Sequence, residues 1–143
     1  MNTLLKSVAK RASVLVLAMA ASFAALLPST ALADGERFVL ISHAPDSDSW
    51  WNTIKNAINE AGDQLNVEVE YRNPPTGDLA DMARIIEQAV ASNPQGIITT
   101  IADYEVLKGP LEKARKKGIP VVTMNSGTAQ ESEDLGAILH VGQ

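Results

Sequence analysis

The feature that most constrains this chain is a repeated change of hydrophobic period from Phe38 onward. Strand-like runs alternate with segments whose apolar residues recur every three or four positions. Such alternation is the signature of βαβ units around a parallel sheet. Phe38-Val39-Leu40-Ile41 is uninterruptedly apolar, as expected of a strand covered on both faces. Ile54, Ala57, Ile58, Ala61 and Leu65 then continue the stripe that begins at Trp51, as on one face of a helix, and Ser49 is placed to cap it. The second strand, Val67 to Tyr71, alternates strictly and so belongs at a sheet edge with one wet face.

Asn73-Pro74-Pro75-Thr76-Gly77 breaks the pattern, and Asp78 can cap a helix striped by Leu79, Met82, Ala83, Ile86, Ala89 and Val90. Gly96 to Ile101 reads as the third strand, and Leu107, Leu111 and Ala114 mark the next helix. Pro110 is expected in its first turn or at a kink, because proline lacks the amide proton a helix interior needs. Gly118 reads as its stop, Ile119 to Met124 as the fourth strand, and Ile138 to Val141 as a fifth. Right-handed crossovers then give an α/β fold with a doubly wound parallel sheet, expected in the order 2-1-3-4-5. That order puts the alternating second strand at an edge.

Residues 1–33 carry the three parts of a cleavable export signal. Lys6, Lys10 and Arg11 form the basic start, and Val14 to Leu27 is an almost unbroken apolar run that Pro28 ends. Ala31-Leu32-Ala33 offers small residues for the peptidase, placing the cut between Ala33 and Asp34. The run is shorter than the roughly 20 residues a membrane span needs. Residues 34–143 are left as one small domain, expected in the periplasm with no direct membrane insertion after cleavage.

The chain has 12 Lys and Arg against 17 Asp and Glu, a formal net charge of −5. Removing the basic export segment makes the remainder more acidic still. No basic stripe or basic-aromatic cluster interrupts that acidity, so nucleic acid and anionic lipid are not expected partners. Cysteine is absent, which excludes thiol catalysis, cysteine-based metal sites and a lipid-anchoring cysteine.

In doubly wound sheets ligands sit beyond the carboxyl ends of the strands, near the reversal of strand order. Three loops fall there. The first holds His43, Ser49, Trp50 and Trp51. Trp51 shares the helical stripe and serves core packing or ligand contact equally well, whereas Trp50 is rotated roughly 100° from it and suits either an exposed platform for the C–H faces of a sugar or packing at the helix mouth. The second loop supplies Asp103, either a helix cap or an acceptor for ligand hydroxyls. The third supplies Asn125 and Ser126, turn formers whose neutral donors and acceptors also suit a polyol.

Other chemistries lack their residues. No G-x-G-x-x-G, phosphate loop or nucleophile elbow occurs. Asp46-Ser47-Asp48 opens like a calcium loop, but Trp51 stands where glycine is required and Ala57 where glutamate is. His43 and His140 have no metal-ligand partner at a recognised spacing, and His140 reads as structural. No cofactor, metal or catalytic residue is expected.

The segment Ser49-Trp50-Trp51-Asn52-Thr53-Ile54-Lys55-Asn56-Ala57, the turn Asn73-Pro74-Pro75-Thr76-Gly77-Asp78 and the strand Gly96-Ile97-Ile98-Thr99-Thr100 occur here in a telling order. Lys117 to Gly127 and the closing His140-Val141-Gly142-Gln143 complete it. Together they resemble the periplasmic solute-binding proteins of ABC sugar importers, of the ribose-binding type. The resemblance implies one lobe of a two-lobe periplasmic binding protein that captures a neutral sugar or polyol and presents it to a membrane permease. It also implies that Trp50 and Trp51 match the aromatics that stack on the sugar. Ribose binders often carry Asp-Arg after the fourth strand; Asn125-Ser126 stands there instead, which puts ribose itself in doubt. The family's chain is about twice as long, so the expectation is a fragment, or a lone half with poor affinity. Two other readings stay open: a sensing module that serves a receptor, and an exported α/β enzyme.

Overall fold

The computed structural model describes residues 35–142. The export signal expected over residues 1–33 and its cut before Asp34 lie outside the described residues. Within them the elements alternate as β1 (Arg37–Ile41), α1 (Trp51–Leu65), β2 (Glu68–Arg72), α2 (Leu79–Ala91), β3 (Gly96–Thr99), α3 (Tyr104–Lys116), β4 (Val121–Asn125), α4 (Ala129–Asp134) and β5 (Leu139–Gly142). The five strands form one sheet in the order β2-β1-β3-β4-β5, all pairs parallel. The expected doubly wound order is therefore present, with β2 at an edge. No helix among the described residues is long and apolar enough to cross a membrane.

The two sheet faces are covered unequally. Val39, Ile41, Ile97 and Val121 point into the main core, where α2 contributes Met82, Ile85, Ile86 and Ala89 and α3 contributes Leu107, Leu111 and Ala114. On the other face α1 supplies Trp51, which packs on Leu40 and Ala44 with Ile54, Ile58, Ile98 and Met124 around them. Strand alternation and the register Val122↔Leu139 and Met124↔Val141 put the Leu139 and Val141 side chains on this second face. There Leu139 is 57% and Val141 53% exposed, beyond the reach of α1. An apolar hollow of about 400 Å³ opens beside α1 between Phe38, Ile58, Leu65 and Val69.

Several boundaries differ from expectation for local reasons. Ser49 is not the helix cap. The backbone is already helical at Trp50, which holds the cap position without a side-chain capping bond, and Asp48 Oδ1 accepts the Trp50 N–H at 3.1 Å in the turn just before it. Pro110 lies in the middle of α3 rather than in its first turn. It is buried, so packing outweighs the missing amide hydrogen bond. Gly118, at φ +75°, closes α3 as predicted: its N–H reaches the Arg115 carbonyl, and the Ile119 N–H reaches that of Ala114. With the Ile119 amide used there, β4 begins only at Val121. Helix α4 was not anticipated, although Thr128-Ala129-Gln130-Glu131 spells a capping box and both of its reciprocal bonds form.

Candidate functional site

At the carboxyl ends of β1, β3 and β4 three loops are stitched together by hydrogen bonds that run across the sheet. The Thr100 N–H donates to the Ile41 carbonyl at 3.3 Å, and the His43 N–H donates to Thr100 Oγ1 at 3.1 Å. The Ile101 N–H then donates to the Ser126 carbonyl at 3.1 Å. The first loop is thus tied to the second, and the second to the third. A fourth segment braces them from the side: Asn73 Nδ2 donates to the Ala44 carbonyl and to Asp46 Oδ1, both at 2.9 Å.

The two tryptophans part company at the start of α1. Trp51 is 3% exposed and Trp50 is 49% exposed, with their rings edge to face at 5.2 Å. The His43 and Trp51 rings meet in a T-shaped contact at 5.8 Å, and the Tyr71 ring lies tilted 6.4 Å from Trp51. Trp51 is therefore a buried prop, and Trp50 is the aromatic surface left open. Ser49 is exposed beside it and makes no hydrogen bond through its hydroxyl among the described residues.

Polar groups around these rings are individually satisfied. Tyr71 OH and Ser42 Oγ lie 2.6 Å apart, and Ser42 Oγ also accepts the Ala44 N–H at 3.3 Å. Burial raises the Tyr71 phenol above its ordinary value, against the hydrogen bond from Ser42. Burial likewise pushes the His43 imidazole below its ordinary 6.5, and the charge of Asp48 offsets only part of that. The site thus presents a neutral histidine near neutral pH.

Asp103 caps α3, Oδ1 accepting the Val106 N–H at 3.0 Å, and remains exposed. Asn125 adopts φ +64°, and the Ser126 N–H bends back to the Met124 carbonyl at 2.8 Å. This is a tight three-residue turn in its strained, positive-φ form. Ser126 Oγ donates to Asn125 Oδ1 at 3.0 Å, which leaves the Asn125 amide hydrogens and the Ser126 lone pairs without protein partners among the described residues.

The seven residues expected from sequence thus fall on three loops that meet at one sheet end: Ser49, Trp50, Trp51 and His43 on the first, Asp103 on the second, Asn125 and Ser126 on the third. Sequence reasoning overlooked Ser42, Tyr71 and Thr100, which hold these loops in register. The available signal was a polar residue closing an otherwise apolar strand, as Ser42 and Thr100 do. His140 sits elsewhere, its Nδ1 2.8 Å from Thr123 Oγ1 beside Ser132.

Comparison with known proteins places this arrangement. A family model described as periplasmic binding protein domain matches residues 38–142. A carbohydrate transporter from Acidothermus cellulolyticus 11B, solved in complex with myo-inositol, is 30% identical with a TM-score of 0.69, over 74% of this chain and 36% of that one. A sugar-binding protein of a sugar ABC transporter from Bacillus halodurans is 31% identical with a TM-score of 0.67, over 76% of this chain and 36% of its own. The XylFII-LytSN complex contains a chain 30% identical with a TM-score of 0.66, over 74% of this chain and 37% of that one. No curated protein matches the chain. Its span is little more than a third of the length of each of these structural relatives.

Proposed function

The chain belongs to the periplasmic binding protein domain family, and on that premise we propose that it is one lobe of a solute-binding protein that captures a neutral sugar or polyol for an ABC importer. The observation that carries this reading is the convergence of an open aromatic face, Trp50, with uncharged hydrogen-bonding groups on Asn125, Ser126 and His43 at one sheet end. An aromatic plane suits the C–H face of a sugar ring, and neutral donors and acceptors suit its hydroxyls. Asp103 is the one acidic ligand candidate, and it retains an oxygen beyond its capping bond.

Residues 1–33 are read as a cleavable signal and residues 34–143 as the sugar-binding lobe, delivered free into the periplasm. The partner in transport is then a membrane permease. Neighbours of this chain are sugar-binding proteins of ABC transporters, a binding-protein family that is normally non-enzymatic. The likeness to the XylFII-LytSN complex supports a second reading, in which the same lobe serves a receptor instead of a permease.

The test is a fluorescence titration of the two tryptophans in residues 34–143 against neutral monosaccharides and inositols. A saturable response to at least one of them is expected. Its dissociation constant should be weak, on the order of millimolar, because one lobe offers one wall of a cleft. A flat response across the panel sinks the sugar reading. Micromolar binding, checked by calorimetry, sinks the claim that a second lobe completes the site.

A further inference from the structure

Thr100 is fully buried, at 0% exposure, although it ends its side chain in a hydroxyl. Two groups of one residue meet its Oγ1: the His43 backbone N–H at 3.1 Å and His43 Nδ1 at 3.0 Å. The backbone N–H is only a donor, so it takes a lone pair of the hydroxyl oxygen. The hydroxyl proton still requires an acceptor. Among the described residues only His43 Nδ1 bonds to this hydroxyl and can accept, and solvent does not reach it.

Were Nδ1 protonated, it would donate to Oγ1 and strand the Thr100 proton in a dry interior, an arrangement native proteins rarely leave in place. The acceptor is therefore Nδ1, and the single ring proton sits on Nε2. With Nδ1 held against the buried Thr100, Nε2 lies on the part of the ring turned away from that residue, and His43 itself is only half-buried. The Trp51 ring, in T-shaped contact at 5.8 Å, limits rotation about the ring's attachment.

We propose that Thr100 is a positioning residue that locks His43 in its neutral Nε2–H tautomer, so that the site offers one fixed donor to an acceptor oxygen of the ligand. The acceptor is a hydroxyl, ring or carbonyl oxygen of an uncharged solute; that assignment rests on the sugar reading, whereas the tautomer does not. The lock distinguishes His43 from Asn125, whose amide both donates and accepts. A ligand group that can only donate, such as an ammonium, finds no partner at this imidazole.

The test is a long-range proton–nitrogen correlation spectrum of the imidazole rings in the ¹⁵N-labelled chain above pH 7. The chain has two histidines, so H43Q assigns the signals. The expected result is that His43 shows an unprotonated Nδ1 and a protonated Nε2, with the Nε2–H form exceeding the other by roughly tenfold or more. In T100V the pattern should collapse toward a tautomer mixture; in T100S, which keeps the hydroxyl, it should persist. A protonated Nδ1 in the wild type, an averaged pattern in the wild type, or loss of the pattern in T100S overturns the proposal. Should T100V fail to fold, the wild type and T100S still decide it. No sugar is present in this experiment, so a failed sugar titration leaves its outcome untouched, and the reverse also holds.

Discussion

A methyl group on the Gly127 Cα would lie 2.6 Å from Ile101 Cβ, closer than carbon atoms approach. Gly127 also holds φ +91°, a conformation that side chains rarely adopt. The third loop is thus pressed onto the second at the one residue type that permits it, and the adjacent bond from the Ile101 N–H to the Ser126 carbonyl fixes its height.

Replacing that glycine should be costly twice over, through backbone strain and through overpacking. G127A is expected to lose about 3 kcal/mol of stability in urea denaturation. Retention of wild-type stability would mean that the two loops are not in contact as described.

The tryptophans should separate stability from ligand contact. Trp51 is buried between Leu40, Ala44 and His43, so W51A is expected to cost about 4 kcal/mol. Trp50 contributes an exposed ring and one edge-to-face contact, so W50A should cost only about 1 kcal/mol. The sugar-induced fluorescence change should nevertheless vanish in W50A. Equal destabilisation by both substitutions would contradict their assigned roles.

Acid should weaken the fold in two steps of the same sign. His43 is held below 6.5 by burial, so the stability it contributes is present above 6.5 and is lost as pH falls through its folded value. Glu70 is held below 4.5, chiefly by the hydrogen bond from Arg72 at 2.7 Å, and its contribution is lost lower still. The stability gap between wild type and H43Q should therefore narrow between pH 7 and pH 5 in denaturant titrations. A gap that widens on acidification would reverse the sign assigned to His43.

The face beneath β5 should be adhesive. Leu139 and Val141 are neighbours on one face of the edge strand β5 and are 57% and 53% exposed. Patches of this kind promote association. Residues 34–143 are expected to bind a hydrophobic dye and to self-associate at high concentration in analytical ultracentrifugation. The double substitution L139K and V141K should suppress both with little effect on helix content. A monomeric, dye-silent wild type would show that the face is covered.

Much of the fold was legible because it is local. The apolar run at Val39 to Ile41, the strict alternation at Val67 to Tyr71 and the caps Asp78 and Asp103 each depend on near neighbours along the chain. Misreadings came where two local signals competed. At the start of α1, Ser49 supplies no cap, because the chain is already helical at Trp50, whose N–H is taken by Asp48 in the preceding turn. In α3, Pro110 reads as a helix breaker but lies inside the helix, buried on the same side as Leu107, Leu111 and Ala114.

By itself, then, the sequence determined which segments are strands and helices, the parallel order of the sheet and the loops that meet at its carboxyl end. Hydrophobic period and capping chemistry act over a few residues and are readable there. Only the tertiary structure decided what those loops do to each other. The bond between His43 and Thr100 joins residues 57 apart in the chain, and that between Ser42 and Tyr71 joins residues 29 apart. Such pairs arise where neighbouring strands β1, β2 and β3 lie side by side, which joins side chains far apart along the chain. That adjacency brings Thr100 against His43 and so sets the tautomer of His43.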